Sequence, residues 1–518
     1  MQSLSVLSGT SRRTRGGDAQ QSNIRAGKAV ANAVRTTLGP RGMDKMLVDT
    51  SGSVVVTNDG AAILDKMDIE HPAAQMIVEV AGSQEDSVGD GTTTASVLAG
   101  ELLVRAEDLL DDDLHPTVIV EGYTEAARIA REAIGSQVLD RPLDDDLLTA
   151  VAVSSMTGKG TGDVSAAVLA EYVVDAVRAV YDGESRFDPG DVRLLTRVGG
   201  AASATELIEG VVVDEAPLRD GMPREVEDAT VAVVTTELDV REGESDAQYR
   251  ISSVEQLAAA VEAEDAELAG YAAALDDAGV DVVFCTKSIA DRVADHLERR
   301  GIVAFESLTT EDARAVARAT GARQLGSVGD PDTADFGHAD RVAVDRGGDD
   351  DLAFVKGGDA AKTVTLLLRG GTEHVVDELE RAISDAIDVT VAAIASGGVV
   401  PGAGATEVAI AERVRSAASS VSGRRQLAVE AFADAVEALP RTLAANAGMD
   451  PINAIVELRA TFDREGVAGV ISDGRTGEVA DPIEAGVFDP AAVKREAITA
   501  ATEAATMIVR VDDVIAAN

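Results

Sequence analysis

Six consecutive residues, Gly89-Asp90-Gly91-Thr92-Thr93-Thr94, have the types needed to hold a phosphate and a divalent cation. Glycine lets a backbone approach an anion and take positive φ. Threonines can cap a helix whose unpaired N–H groups and dipole favour negative charge. Asp90 offers a hard oxygen, and Mg²⁺ usually meets a protein through one or two carboxylates plus its ligand's phosphates. A Gly-rich turn with an ordinary Thr cap uses the same residues, so the hexapeptide alone leaves both readings open. Behind it Val97, Leu98, Leu102, Ala106, Leu109 and Leu110 fall at three- and four-residue steps, which predicts a helix.

Loops of similar texture lie towards both ends of the chain, at residues 38–40, 58–60 and 402–404, and the long middle lacks them. That distribution predicts a discontinuous domain, with the termini building one site and the middle inserted. No Walker A loop is present: Gly160 follows Lys159 where Ser or Thr is required. Gly402-Ala403-Gly404 is weak as a dinucleotide fingerprint, since no strand clearly precedes it. Asp385 lies about opposite the stripe through Ile383 and Ile387, so periodicity alone places it on a solvated helix face. Asp59, in Asn58-Asp59-Gly60, needs only a turn to explain it. His71 and His115, each before a proline, read as loop residues, and Cys285, after Val282-Val283-Phe284, as a buried strand residue. The sequence offers no His/Cys metal cluster and no Ser-His-Asp spacing.

The elements that must position these residues follow from pattern. A helix from about Ser22 stops at Thr37-Leu38-Gly39-Pro40, where Gly caps and Pro forbids continuation. Residues 47–57 read as a β-hairpin. Pro72 and Pro116 start further helices, Asp144 sits in a plausible hinge, and a helix is expected over 164–180. From about Leu207 short Val-rich strands alternate with turns, at 211–213, 231–235, 280–284 and 364–368. Between the second and third lies an Ala/Glu/Leu helix over about 254–275, acidic enough to be exposed or to meet a partner. A long periodic helix spans 373–395, and the run at 507–511 reads as a strand.

The chain has 518 residues, room for two to four domains, and 45 % hydrophobic residues with only 3 % aromatics, so its core must be aliphatic. No apolar run reaches membrane-helix length, and the start of the chain lacks a signal-peptide pattern; a soluble cytoplasmic protein is expected. One cysteine excludes an internal disulfide and fits a reducing compartment. Net charge is 46 − 91 = −45, which argues against nucleic acid and anionic membranes as partners. Acid excess spread along the chain, with very few lysines, suits molar salt, where the Debye length falls to about 3 Å.

Taken in order, the motifs resemble the group II chaperonins, the archaeal thermosome and the eukaryotic cytosolic chaperonin, over almost the whole chain. The resemblance rests on the segment from Arg35 to Leu47, Asn58-Asp59-Gly60, Asp90 in its Gly/Thr frame, Thr157-Gly158-Lys159-Gly160, Leu367-Leu368-Arg369-Gly370-Gly371-Thr372-Glu373, and Ala504-Ala505 before Ile508. It implies a multi-domain α+β chaperonin fold. A mostly α-helical equatorial ATP-binding domain would come from residues 1–143 and 396–518. A small α/β intermediate hinge domain would come from 144–206 and 360–395. An α/β apical client-binding domain would span 207–359, with a helical protrusion, or lid, over about 248–278.

It also implies residue roles. Asp90 matches the Mg²⁺ ligand. Thr37, Leu38, Gly39, Pro40, Gly91, Thr92, Thr93 and Thr94 match positions that hold the nucleotide's phosphates. Asp59 and Asp385 match the two carboxylates that orient and deprotonate the attacking water, Lys159 the nucleotide-sensing loop, and Gly402 and Asp489 contacts near the nucleoside. The implied cofactors are ATP and Mg²⁺, with K⁺ a further candidate. The implied partners are unfolded client proteins and identical or paralogous subunits of a double ring, with hairpin 47–57 and segment 507–511 suited to pairing between subunits. The family usually has three glycines where this chain has Gly402-Ala403-Gly404. A ring-forming subunit with weak or no hydrolysis is the alternative, and a phosphotransferase with an unfamiliar nucleotide site is a third.

Overall fold

The computed structural model describes residues 12–48, 52, 54–162, 164–181, 187, 189–240, 254–328, 333–346, 351–358, 363–472 and 474–516. It divides into two compact units, Met1–Val174 with Val198–Ser203 and Gly370–Asn518, and Asp175–Arg197 with Ala204–Arg369. The first part of the expected protrusion, and residues 49–51 and 53 of the expected hairpin, lie outside the described residues.

The first unit opens with strand β1 (Arg12–Arg15) and helix α1 (Gly17–Val34), which ends in a short 3₁₀ turn, Arg35–Thr37. Strands β2 (Lys45–Val48) and β3 (Val54–Thr57) pair antiparallel, Lys45 opposite Thr57, over the expected hairpin. Helices α2 (Gly60–Lys66), α3 (Pro72–Val88), α4 (Thr92–Asp111), α5 (Pro116–Gln137) and α6 (Asp145–Met156) follow, and then α7 (Ala166–Val180), whose residues from Asp175 on are counted in the second unit. His71 and His115 are N-caps rather than plain loop residues: each ring accepts a backbone N–H two residues on, ahead of a proline at the first helical position.

The second unit carries strands β4 (Val192–Val198), β5 (Glu206–Glu209), β6 (Val211–Val213) and β7 (Glu225–Val234). Helix α8 (Val254–Asp277), β8 (Val282–Cys285), helix α9 (Asp291–Arg300), β9 (Val303–Phe305), helix α10 (Thr310–Thr320), β10 (Gln324–Leu325), β11 (Gly337–Arg346), β12 (Asp351–Lys356) and β13 (Val364–Gly370) complete it. The larger sheet runs β6-β12-β11-β7-β8-β9, parallel where β7, β8 and β9 meet, with β10 beside β7. Residues of α8 and α9 cover one face (Leu268, Leu275 and Leu297 with Val283 and Ala304), and α10 covers the other (Ala313 and Val316 with Val282 and Phe284). That double cover explains the unbroken Val runs. Cys285 is buried in β8, as expected. The acidic helix differs from expectation: Glu262–Glu267 face solvent, but one turn later Leu268, Tyr271, Ala272 and Leu275 enter the core.

The chain then returns to the first unit with α11 (Glu373–Ser396), β14 (Val399–Pro401), α12 (Ala405–Ala418), α13 (Arg425–Asn446), α14 (Pro451–Glu465), β15 (Gly469–Ser472), β16 (Gly477–Ala480), β17 (Phe488–Pro490), α15 (Ala491–Arg510) and β18 (Asp513–Ala516). Its core is aliphatic. Ala, Val, Leu and Ile of α1, α3, α4, α5, α12, α13 and α15 interdigitate, with Tyr123 edge-on to Phe432 at 5.9 Å and donating to Leu102 O. Helices α1 and α4 approach closely because Gly100 faces Ala31, where a Cβ would come within 2.2 Å. The run at 507–511 is not a strand. α15 continues to Arg510 because its Ala face, ending in Ala504, Ala505, Ile508 and Val509, is buried against that core, which outweighs the β-propensity of four residues. The strand is β18, antiparallel to β1. Among the described residues no helix is long and apolar enough to cross a membrane.

Candidate functional site

The Asp90 loop joins α3 to α4 through two left-handed glycines, Gly89 (φ 66°) and Gly91 (φ 82°). Both need to be glycine on space as well as conformation: a Cβ would fall 2.1 Å from Asp388 Cβ at the first and 2.8 Å from Val493 Cγ1 at the second. Gly91 is the N-cap of α4 and no side chain caps that helix, so Thr92, Thr93 and Thr94 form its first turn instead of capping it. The helix thus begins with N–H groups that no side chain satisfies, which favours an anion there. Asp90 Oδ1 accepts the Gly91 N–H at 2.6 Å, and Gln84 Nε2 donates to Asp90 O at 2.7 Å and to Val493 O at 3.3 Å, tying the loop to α15.

A cavity of about 260 Å³ opens beside this helix start. Thr37, Leu38, Gly39, Pro40, Asp59, Asp90, Gly91, Thr92, Thr93, Thr94, Lys159 and Asp489 all line it, gathered from five separated stretches. Gly402 stands just behind the wall formed by Ala403 and Gly404, where a Cβ would come 3.1 Å from Asp489 Oδ2. Asp385 is not on the wall; it meets the site through Lys159, whose Nζ donates to Asp385 Oδ2. The Gly-Ala-Gly turn does follow a strand, β14, pairing with β17 so that Val400 lies opposite Asp489. Three residues were too few to stand out in the sequence.

Asp59 is the N-cap of α2, with Oδ1 accepting from Ala61 N at 3.2 Å and Oδ2 from Ala62 N at 2.8 Å. Asp385 departs from the solvated face that periodicity assigned it: its side chain is only 13 % exposed. Helices α6 and α3 and the Lys159 loop cover the side of α11 away from its apolar stripe, and a one-helix pattern cannot see a second cover. Asn58 Nδ2 donates to Gly158 O at 2.6 Å, holding that loop against the α2 start.

The electrostatics are those of too many buried acids for their cations. Burial raises Asp385 to about 6, with Lys159 pulling the other way and Asp90 and Asp59 adding to the rise. Burial, then Asp385, Asp59 and Asp90, raises Glu85 to about 8. Asp90 is raised by burial too, against the pull of Lys159 and the Gly91 N–H. Burial alone would lower Lys159, but Asp385 and Asp90 outweigh it and its pKa lies above the ordinary lysine value. One lysine among Glu85, Asp59, Asp90 and Asp385 leaves a negative excess that a divalent cation would relieve. Among the described residues no group of three or more His, Cys, Asp or Glu forms a ready-made metal cage.

Sequence reading missed Glu85, Glu407 and Lys494. Lys494 donates to Glu407 Oε1 at 2.7 Å and Asp489 Oδ2 at 2.8 Å, all three on the cavity wall. One signal was available: the chain has only eight lysines, and two of them line this cavity. Part of the remaining wall is apolar, with Leu439, Leu443, Val470, Ile471 and Val487, a surface suited to a flat ring, and Asn58, Ser154, Ser155, Thr157 and Ser472 add polar groups.

Comparison with known proteins agrees with this geometry. Residues 30–518 match the TCP-1/cpn60 chaperonin family. Thermosome subunit 3 of Haloferax volcanii is 69 % identical over 518 residues, all of this chain and 99 % of the relative. A thermosome subunit of Methanopyrus kandleri is 50 % identical over 509 residues, 97 % of this chain and 93 % of the relative. Thermosome subunit alpha of Halobacterium salinarum is 49 % identical over 519 residues, all of this chain and 92 % of the relative. A helix start open to an anion, a carboxylate-rich cavity built from both ends of the chain and likeness along its full length converge: the chain belongs to the TCP-1/cpn60 chaperonin family, among the archaeal group II chaperonins.

Proposed function

We propose that the chain is an ATP-hydrolysing subunit of a double-ring chaperonin, using ATP and Mg²⁺ at the cavity beside Asp90 to drive closure around unfolded clients. The observation that carries this reading is the uncapped start of α4 next to a buried carboxylate cluster held by a single lysine. Thr92, Thr93 and Thr94 would receive phosphate oxygens on their backbone N–H groups, with Thr37, Leu38, Gly39 and Pro40 opposite. Asp90 would hold Mg²⁺, which supplies charge neutralisation along the phosphates. Phosphoryl transfer asks mainly for positioning and electrostatics. Asp59, with each oxygen already bound to a backbone N–H, is built to orient a water. Asp385, raised towards neutrality, is the better proton acceptor. Lys159 would exchange Asp385 for the γ-phosphate, which makes it a sensor of nucleotide state.

On this reading the chain would have three domains, with 1–143 and 396–518 equatorial, 144–206 and 360–395 intermediate, and 207–359 apical. Partners would be unfolded proteins and identical or paralogous subunits, and the compartment the cytoplasm. The exposed Met43, Met46 and Val48 around the β2–β3 hairpin support pairing between subunits. The spread of negative charge supports a salt-rich interior, with K⁺ as a further ion at the site. The alternative, a ring-forming subunit with weak hydrolysis, draws on Ala403, a non-glycine at φ 56° in the cavity wall.

The test is Mg-ATP hydrolysis by the purified assembly in molar KCl, wild type against Asp385→Ala. Turnover by wild type with a fall of tenfold or more in an assembled variant supports the ATPase reading. Assembly without turnover in wild type transfers support to the alternative.

A further inference from the structure

Gln84 is a wholly buried amide on α3, among alanines and valines that need no polar neighbour. Its Nε2 donates to Asp90 O at 2.7 Å and to Val493 O at 3.3 Å. Backbone carbonyls only accept, so these two partners fix which end of the amide faces them. Oε1 is left in the interior, where it has no hydrogen-bond partner among the described residues. A buried acceptor left unmade costs stability, and an apolar side chain of the same length would not incur that cost. The fold also makes room for this amide: a Cβ at Gly91 would come 2.9 Å from Gln84 Nε2.

What the amide holds is one peptide unit. The oxygen of that unit, Asp90 O, accepts from Gln84, and its N–H, at Gly91, donates to Asp90 Oδ1 at 2.6 Å. A peptide unit is planar, so its C=O and N–H turn together. Gln84 therefore sets the direction of the Gly91 N–H, and through it the orientation of the Asp90 carboxylate on the cavity wall. The second bond, to Val493 O, ties the amide to the first turn of α15. The peptide plane is thus referenced to two packed helices, α3 and α15, and not to its own loop. We propose that Gln84 is a positioning residue that aims the Asp90 carboxylate at the cation, so that the metal can strengthen nucleotide binding. This rests on the nucleotide reading above. Gln84 itself is assigned no contact with metal or nucleotide.

The experiment is calorimetric binding of ADP to the full-length assembly in molar KCl, with Mg²⁺ in excess and with Mg²⁺ chelated, which needs no turnover. Wild type is expected to bind ADP tenfold or more tighter with Mg²⁺, about 1.4 kcal/mol, and Asp90→Asn to lose that gain. Gln84→Met, which fills a similar space without donors, is expected to bring the gain below about threefold. Its metal-free ADP affinity should stay within about twofold of wild type. A merely structural role would weaken ADP by one factor with and without Mg²⁺, leaving the gain intact; that result overturns the proposal. So does a full gain in Asp90→Asn. If Gln84→Met does not fold, Gln84→Asn, which keeps the amide but shortens its reach by one methylene, decides by the same ratio. No gain from Mg²⁺ in wild type overturns the metal assignment and this proposal with it, and leaves nucleotide binding standing. Absence of ADP binding under both conditions removes the function proposed above as well.

Discussion

Lys159 donates through Nζ to Asp385 Oδ2 across 226 residues of sequence, joining the loop after α6 to the middle of α11. Lys159 opposes the burial-driven rise of Asp385, Asp90 and Glu85 together. Lys159→Met therefore raises all three further. If Asp385 must be ionised for turnover, its acid limb near pH 6 in the nucleotide-free protein moves to higher pH in that variant, and a pH profile of kcat/KM reads the shift. An unmoved limb would mean that Asp385 is not the titrating base.

Asp388, one turn beyond Asp385 on α11, is raised by burial to about 6. A carboxylate raised above its ordinary 3.8 stabilises the fold relative to its ionised form below that value, and the benefit is lost as pH rises through about 6. Asp388→Asn is accordingly expected to be more stable than wild type at pH 7.5, by ~1–2 kcal/mol, with the difference gone at pH 4. Denaturant titrations at the two pH values check it, and a variant less stable at pH 7.5 would contradict the burial argument.

Ala403 adopts φ 56° between Gly402 and Gly404. A left-handed conformation costs a side-chain-bearing residue about 1–2 kcal/mol, whereas the extra freedom of glycine in the unfolded chain costs about 0.4–1 kcal/mol. The first exceeds the second, so Ala403→Gly should stabilise by ~0.5–1 kcal/mol. It should also leave ATP turnover within about twofold if the wall merely accommodates the methyl. A large gain in turnover would favour a naturally weakened ATPase.

A net charge of −45 predicts loosening in dilute buffer, where the Debye length grows from about 3 Å at 1 M to about 30 Å at 0.01 M. Circular dichroism at 222 nm should fall, and the melting temperature drop, between molar and millimolar KCl. An unchanged spectrum would refute the adaptation.

How much of this was legible in the chain depended on the range of the interaction that decides each feature. Gly89-Asp90-Gly91-Thr92 and the prolines before α3 and α5 act on their own neighbours, so the sequence by itself determined where α3, α4 and α5 begin, that the core is aliphatic and which loops are chemically apt. The family likeness placed Asp59, Asp385 and Lys159 in order along the chain. Tertiary structure alone decided what covers what. Asp385 looks solvated until α3, α6 and the Lys159 loop close over it, and residues 507–511 look like a strand until an alanine face is buried beneath Ile508. Lys494 and Glu407, 87 residues apart, carry no mutual signal in sequence. Only packing brings their charges to 2.7 Å, because desolvation makes a buried charge find its partner wherever in the chain that partner lies.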